Sequence, residues 1–442
     1  MWFNMPVNLR LKLILISVSS YFLLACSVQK KISRSAYKLV LSDSSLLAAH
    51  IGITIFDTET NKYLYNYQGD KYFVPASNTK IPTCYAAMKY LGDSLIGLNY
   101  IEVDSTLFIQ PTADPTLLHR DFKMHPVYNF LIRQQKKLAY VEADWQADVY
   151  GSGWAWNDFG ESYMPERSSL PVYGNTIQFR MMGEDKKLYL KGDIPFFRYQ
   201  LNERVERVTK KIQIQRRRLE NLFDVFPSNR EFTTVQIPFR TYENSRVLED
   251  TLKKAWLDNV YPPTRLGYKI IYSHPTDSLL KPMMHQSDNF FAEQTLLMVS
   301  DAVLGVMNDA KIIDTILKTA FKDLTQKPRW VDGSGLSRYN LFTPQSFVAI
   351  LNKMKNEFGL DRMKEIFPTG GEGTLSSYYK KDSSFLFAKT GTLSGVVALS
   401  GFLYTSKNKL LLFSVLINNH YSSATAVRKA VEKFLQGVRE NY

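Results

Sequence analysis

At 442 residues the chain exceeds what one hydrophobic core usually covers, which points to two or more domains or to one domain carrying a large insertion. An apolar fraction of 45% and a charged fraction of 22% are those of ordinary globular proteins and exclude long disordered or collagen-like regions. A formal net charge of +13 favours anionic surroundings, such as phospholipid headgroups or acidic wall polymers, over basic partners.

The first residues read as an export signal. Arg10 and Lys12 precede an apolar run from Leu13 to Ala25, too short to span a bilayer permanently, and the small Ala25 before Cys26 suits processing. Leu23-Leu24-Ala25-Cys26 resembles a bacterial lipobox, so residues 1–25 are expected to be removed and Cys26 to carry a lipid that tethers the exported chain to a bacterial membrane, in the periplasm. A plain secretory signal with an incidental cysteine is the competing reading. Nucleic acid is not an expected partner after export. The only other cysteine, Cys84, lies seven residues after Ser77, and a buried core role is expected for it.

After a polar linker over 26–45, Ile51 to Phe56 and Tyr63 to Tyr67 read as a hairpin turning at Asp57 to Asn61. Pro75 then punctuates the chain, and Ile81, Ala86, Ala87, Met88 and Leu91 follow at helical spacing, so Ser77 opens a helix. From about Leu95 to Ser245 short aromatic and β-branched runs broken by Gly, Pro and Asn indicate an inserted, mostly β region, with 203–222 ambiguous between helix and strand. The basic run from Lys210-Lys211 to Arg216-Arg217-Arg218 reads as a solvated face. Helical spacing returns in Val247 to Trp256, Asn289 to Leu304, Asp309 to Phe321 and Pro344 to Phe358. Phe385 to Lys389, Val396 to Tyr404 and Lys409 to Asn418 read as strands, and Ser423 to Val438 as a final helix. The organisation expected is a domain from 46–95 and 246–442, interrupted by an insertion over 96–245.

Three short strings carry chemistry: Ser77-Asn78-Thr79-Lys80, Ser287-Asp288-Asn289 and Lys389-Thr390-Gly391. A hydroxyl is a poor nucleophile at neutral pH, and a lysine three residues on lies on the same side of a helix, where a lowered pKa would make it a base. Burial, the helix N-terminus and a second cation such as Lys389 would each push Lys80 that way. Ser287 and Asn289 face one side of an extended or turn segment, where Ser287 could relay a proton to a leaving amine and Asn289 could hold a substrate amide. Lys389 and Thr390 at a strand could bind a terminal carboxylate, with Gly391 admitting substrate to the backbone and the N–H groups of Ser77 and Thr392 cradling an oxyanion. Ser-x-x-Lys alone turns up about once or twice by chance in a chain this long. The ordered triple, with each member where its mechanics require, is far more specific.

On these strings the chain resembles the penicillin-binding D-Ala-D-Ala carboxypeptidase and endopeptidase family, whose transpeptidase-like domain carries a large insertion between the first two motifs. The similarity runs from about Ile51 to the C-terminus and includes Phe73-Val74-Pro75-Ala76, Asp114-Pro115-Thr116-Leu117 and Gly153 to Asp158. It continues through Lys281-Pro282-Met283-Met284 and Asp332 to Arg338, where Gly333 and Gly335 are expected to supply unusual backbone angles. The role of Glu372, in the Gly-rich Gly370 to Thr374 turn, is open. The resemblance implies an α+β multidomain protein: a β-lactamase/transpeptidase-like domain, an antiparallel sheet flanked by helices, with a mostly β inserted region. It further implies acylation of Ser77 by peptidoglycan stem peptides and by β-lactams, with no cofactor and no metal. The six histidines show no His-x-x-x-His or Cys-containing ligand spacing, and for His285, near Ser287, the sequence nominates no acid that would complete a Ser-His-Asp triad. A serine β-lactamase shares the three strings but needs no insertion of roughly 200 residues between the first two. A non-catalytic, lipid-anchored wall-binding protein is the alternative from another class.

Overall fold

The structure is a computed structural model that describes residues 29–184, 187–197, 201–203, 213–226, 234–257, 260–262 and 267–442. The export signal, Cys26, Lys210-Lys211 and residues 204–212 of the ambiguous stretch lie outside the described residues. The elements that carry the site are, along the chain, strands β1 (His50–Asp57) and β2 (Lys62–Tyr67), helix α1 (Lys80–Tyr90), and strands β3 (Thr176–Glu184), β4 (Lys187–Gly192) and β5 (Thr234–Pro238). Helices α2 (Asn289–Leu304) and α3 (Pro344–Phe358), strands β6 (Leu386–Leu393), β7 (Val396–Tyr404) and β8 (Leu410–Asn418), and helix α4 (Ala424–Asn441) follow. They fall into two compact units, one from the residues up to Asn78, Leu324–Pro328 and Leu341–Tyr442, the other from Thr79–Asp323 and Arg329–Asn340.

The first unit is built on one antiparallel sheet ordered β6-β7-β8-β1-β2. Strands β7 and β8 are buried along nearly their whole length, which is why they read as continuous apolar runs rather than as alternating ones. Successive side chains point to opposite faces. Ile51, Ile53 and Ile55 of β1 and Phe413, Val415 and Ile417 of β8 pack with Val427, Val431, Phe434 and Val438 of α4. Helix α3 packs on β8 and β1, where Gly52 leaves room for Phe73 and Pro344. Its start follows from local chemistry, since the Thr343 hydroxyl accepts the Ser346 N–H at 3.0 Å and Pro344 occupies the first turn.

In the second unit α1 is buried from Lys80 to Met88 and packs against α2, itself buried from Phe290 to Ser300. Helices apolar on every side belong in the middle of a core. The Asp288 carboxylate caps α2 by accepting the Phe291 N–H at 2.8 Å, and Gly305, at φ 67°, ends it. Cys84 is fully buried in α1, as a core residue. The remaining strands form a five-stranded sheet and two three-stranded sheets, so the inserted region is indeed mostly β. Gln213–Arg216, from the ambiguous stretch, is a strand.

Several boundaries differ from the sequence pattern. The helix expected to reach Trp256 spans Asn244–Leu252 and stops at Lys253, which turns left-handed at φ 55°, and Trp256-Leu257 joins a sheet. The strand expected over Phe385 to Lys389 runs on to Leu393, so Lys389-Thr390-Gly391 lies inside it. Helices Pro126–Arg133 and Thr276–His285 had no signal of their own; the second continues through Pro282, a residue that ordinarily ends helices, because Leu279, Leu280, Met283 and Met284 are buried on it. Gly401 of β7 marks the tightest point of the sheet, since a Cβ there would lie 2.1 Å from the Phe387 carbonyl oxygen of β6. Gly401→Ala should therefore destabilise the protein by ~3 kcal/mol through forced separation of β6 from β7. A thermal melt within a degree of wild type would contradict this packing.

Candidate active site

Ser77 lies in a single 3-10 turn, Ala76–Thr79, that leads directly into α1. The segment before it is pinned on both sides of its backbone. Phe73 and Phe342 exchange N–H···O bonds of 2.9 and 3.0 Å, while the Asn418 side chain accepts from the Val74 N–H at 2.7 Å and donates to the Val74 carbonyl at 3.0 Å. Between these clamps and Ser77 the chain turns sharply: Ala76 is buried and held at φ 47°, a left-handed conformation that an L-residue keeps only where its surroundings enforce it.

Strand β6 comes against that same turn. A Cβ on Gly391 would lie 2.7 Å from the Pro75 carbonyl oxygen and 3.0 Å from the Ser77 nitrogen. The glycine is thus required by the backbone of the Ser77 turn, a reason for Gly391 different from the substrate access expected of it. Asn78 is buried, and its amide donates to the Lys389 carbonyl at 2.7 Å and accepts from the Ser400 hydroxyl at 2.7 Å, which ties the turn to β6 and β7. Lys389 is fully buried, with its ammonium donating to the Thr390 carbonyl at 2.9 Å. The Thr390 hydroxyl donates to that of Thr374 at 2.7 Å, and Thr392 accepts a hydrogen bond from the guanidinium of Arg428 on α4. Ser77, Lys389, Thr390, Gly391 and Thr392 are accordingly parts of one unit. Arg428 had no signal in the sequence, being one of many surface-type cations on an amphipathic helix, and Thr374, by accepting from Thr390, ties the Gly-rich turn to β6.

The other set is Lys80, Ser287 and Asn289. Lys80 is fully buried at the start of α1, three residues after Ser77, and its ammonium donates to the Asn289 side-chain oxygen at 2.6 Å and to the Ser334 carbonyl at 2.8 Å. Asn289 was expected to hold a substrate amide. Here its oxygen is committed to Lys80 and its nitrogen donates to the Tyr163 carbonyl at 2.9 Å. Ser287 stands at φ 62°, a second left-handed residue directly before the Asp288 cap.

Burial lowers the Lys80 pKa to about 8, against the opposing pull of Asp288, Asp332 and Glu293. Those acids are themselves shifted upward by burial. Glu293 is pushed up to about 7 by burial and then by the Asp332 charge, while Arg167 draws it back down. The fully buried Arg167 donates to Glu293 at 3.3 Å and to Asp309 at 2.6 Å, and its guanidinium lies 5.6 Å from the Trp154 ring centre. Glu293 accepts the Ser334 N–H at 2.7 Å, so one residue joins the glutamate to the lysine: the Ser334 nitrogen faces Glu293 and the Ser334 carbonyl faces Lys80. Asp332 shapes the rest of the loop by accepting from the N–H groups of Gly335 and Ser337, from Asn340 and from the Trp154 indole. Gly335 has the left-handed angle expected of it, at φ 85°, whereas Gly333 is needed because a Cβ would meet the Ala292 carbonyl oxygen at 2.5 Å. Arg167 and Glu293 carried no motif signal, because isolated charges in a sequence do not announce their burial. Among the described residues no group of three or more His, Cys, Asp or Glu side chains has the arrangement of a metal site.

Residues 34–438 match the model of the D-Ala-D-Ala carboxypeptidase 3 (S13) family. The D-alanyl-D-alanine carboxypeptidase DacB of Haemophilus influenzae is 24% identical over 423 residues, which is 84% of this chain and 86% of that protein. The D-alanyl-D-alanine carboxypeptidase of an Actinomadura species is 25% identical over 445 residues, 89% of this chain and 82% of the relative. Among solved structures, penicillin binding protein 4 of H. influenzae superposes with a TM-score of 0.73 at 21% identity, over 92% of this chain and 97% of that one, which establishes the shared fold. A match that spans nearly the whole length, both sequence units included, makes this chain a member of the D-Ala-D-Ala carboxypeptidase 3 (S13) family, a serine-type D-Ala-D-Ala carboxypeptidase.

Proposed function

We propose that Ser77 is the nucleophile and Lys80 its base, in a peptidase that trims terminal D-alanine from peptidoglycan stem peptides and also cuts their cross-links. The observation that carries this reading is the burial of an amine with a pKa near 8, three residues along one helical turn from Ser77. At neutral pH a minor but useful fraction of Lys80 is free to accept a proton. In the reaction Ser77 Oγ attacks the penultimate D-alanine carbonyl as its proton passes to Lys80, and the N–H groups of Ser77 and Thr392 hold the resulting oxyanion. The C–N bond then breaks, with Ser287 relaying a proton to the departing amine, and water later frees the acyl group from Ser77.

The substrate carboxylate is assigned to Lys389 and Thr390. Arg428 steadies Thr392 from α4, and its positive charge adds to the attraction. Asn289 would turn from holding Lys80 to receiving the substrate amide. Residues 46–95 and 246–442 are read as the catalytic domain and 96–245 as its insertion, a division supported by the fall of all three motifs in the first set. β-Lactams would acylate Ser77 as substrate mimics, a reading supported by the structure of the H. influenzae penicillin binding protein 4 complexed with a β-lactam. Residues 1–25 would be removed on export, and a lipid on Cys26 would hold the protein to a membrane from the periplasmic side. Among the described residues no helix is long and apolar enough to cross a membrane.

Labelling with a fluorescent penicillin should give a covalent band on the wild-type protein and none on Ser77→Ala, with slow loss of label after a chase. Fast turnover would favour a β-lactamase, and a band that survives in Ser77→Ala would remove Ser77 from the mechanism. The acylation rate should rise about tenfold per pH unit on the acid side and level off above about pH 8, because only the neutral amine of Lys80 is competent. A flat profile from pH 6 to 9 would contradict the assignment of the base. Metabolic labelling with a palmitate analogue should mark the wild-type chain and not Cys26→Ser; equal labelling of both would leave Cys26 without the lipid.

A further inference from the structure

Outside the catalytic residues, the second unit holds a cavity of about 640 Å³ on the sheet ordered β5-β3-β4. One face of that sheet is apolar, with Ile177, Phe179 and Ile237 in the core of the unit. The opposite face lines the cavity and presents Gln178 beside Gln236 and Arg180 beside Lys191, both pairs in direct cross-strand register. Two like charges set opposite each other on one face of a sheet weaken it. Of the two carboxylates on the described cavity wall, Asp193 is engaged by the Arg120 guanidinium at 2.7 Å and by the Gln178 N–H at 2.9 Å, and Arg120 also acts on Asp121. Arg120 is in turn fixed by Thr176 and by the Tyr173 carbonyl, so it serves as a strut of the cavity wall.

We propose that this cavity binds the stem peptide of a second, neighbouring peptidoglycan chain, with a peptide carboxylate between Arg180 and Lys191 and backbone amides against Gln178 and Gln236. This rests on the peptidoglycan substrate assigned above and extends it. The donor set favours a peptide over a phosphate: Gln178, whose oxygen accepts from Arg180 at 3.0 Å, offers its NH2, and Gln236, whose NH2 donates to the Thr176 hydroxyl at 2.8 Å, offers its oxygen, a donor and an acceptor that match a peptide group, while Asp121 on the cavity wall would repel a phosphate dianion but accept the ammonium of a diamino acid. The cavity also adjoins the second motif. His119 on its wall packs against Phe291 of α2, the rings tilted by 53° with centres 4.6 Å apart, and the charge of Asp288 reaches that imidazole. A second stem held there would distinguish a cross-linked substrate, which has two stems to offer, from a single strand.

The test uses the full chain after acylation by penicillin, so that the catalytic residues are blocked, titrated with a soluble muropeptide bearing one tetrapeptide stem and separately with inorganic phosphate. Saturable muropeptide binding is expected, weakened at least tenfold in Arg180→Gln/Lys191→Gln. That variant should melt at or above the wild-type temperature, since it relieves a like-charge pair. Absence of binding to the blocked wild-type chain, equal binding to the variant, or phosphate binding as tight and as sensitive to the variant would each overturn the proposal. A wild-type chain that penicillin fails to acylate would instead defeat the function proposed above and leave the titration to be run on the unmodified protein.

Discussion

Lys80 is an ammonium placed where water cannot reach it, and most of the polar architecture of its unit answers to that placement. Removing such a charge from water costs several kcal/mol, and a buried amine survives only with good acceptors around it or with a lowered pKa. Here both hold. Asn289 and the Ser334 carbonyl accept from it at 2.6 and 2.8 Å, and its pKa nonetheless falls to about 8. The three carboxylates that act on it are restrained in turn: Asp288 caps a helix, Asp332 is saturated by loop donors, and Glu293 leans on Arg167. A cluster with a freely ionised acid beside Lys80 would hold it as a cation, and a cluster with none would leave it without support.

The second constraint is steric. The nucleophile turn and strand β6 approach so closely that only glycine fits at 391, while Gly401 lets β7 carry β6 without a gap. Ala76 in the first unit and Ser287 in the second each hold a left-handed angle. Such angles persist only where packing over-determines them, and the clamps at Phe73, Val74 and Asn78 supply that packing in the first unit. The Ser77 turn is therefore held by the close approach of backbone at Gly391 together with the side-chain amides of Asn78 and Asn418.

Much of this was legible in the residues alone. Helix Asn289–Leu304, helix Pro344–Phe358 and strand Val396–Tyr404 announce themselves because their caps, lengths and apolar patterns agree at every level. The three motifs, Ser77 to Lys80, Ser287 to Asn289 and Lys389 to Gly391, carried the resemblance to the family whose model matches residues 34–438. Helix Thr276–His285 stayed hidden because tertiary burial of Leu279 and Met283 outweighs the local signal of Pro282.

The sequence by itself determined the covalent inventory: which hydroxyls, amines and amides exist, and which of them a helical turn or a strand places side by side. Tertiary structure alone decided that Lys80 is buried, that Arg167 and Glu293 lie beneath it, that Arg428 meets Thr392, and that Arg180 faces Lys191 across a sheet. Desolvation and charge pairing depend on distances in space, and residues as far apart as 167 and 293, or 392 and 428, acquire a shared dielectric only when the chain has folded.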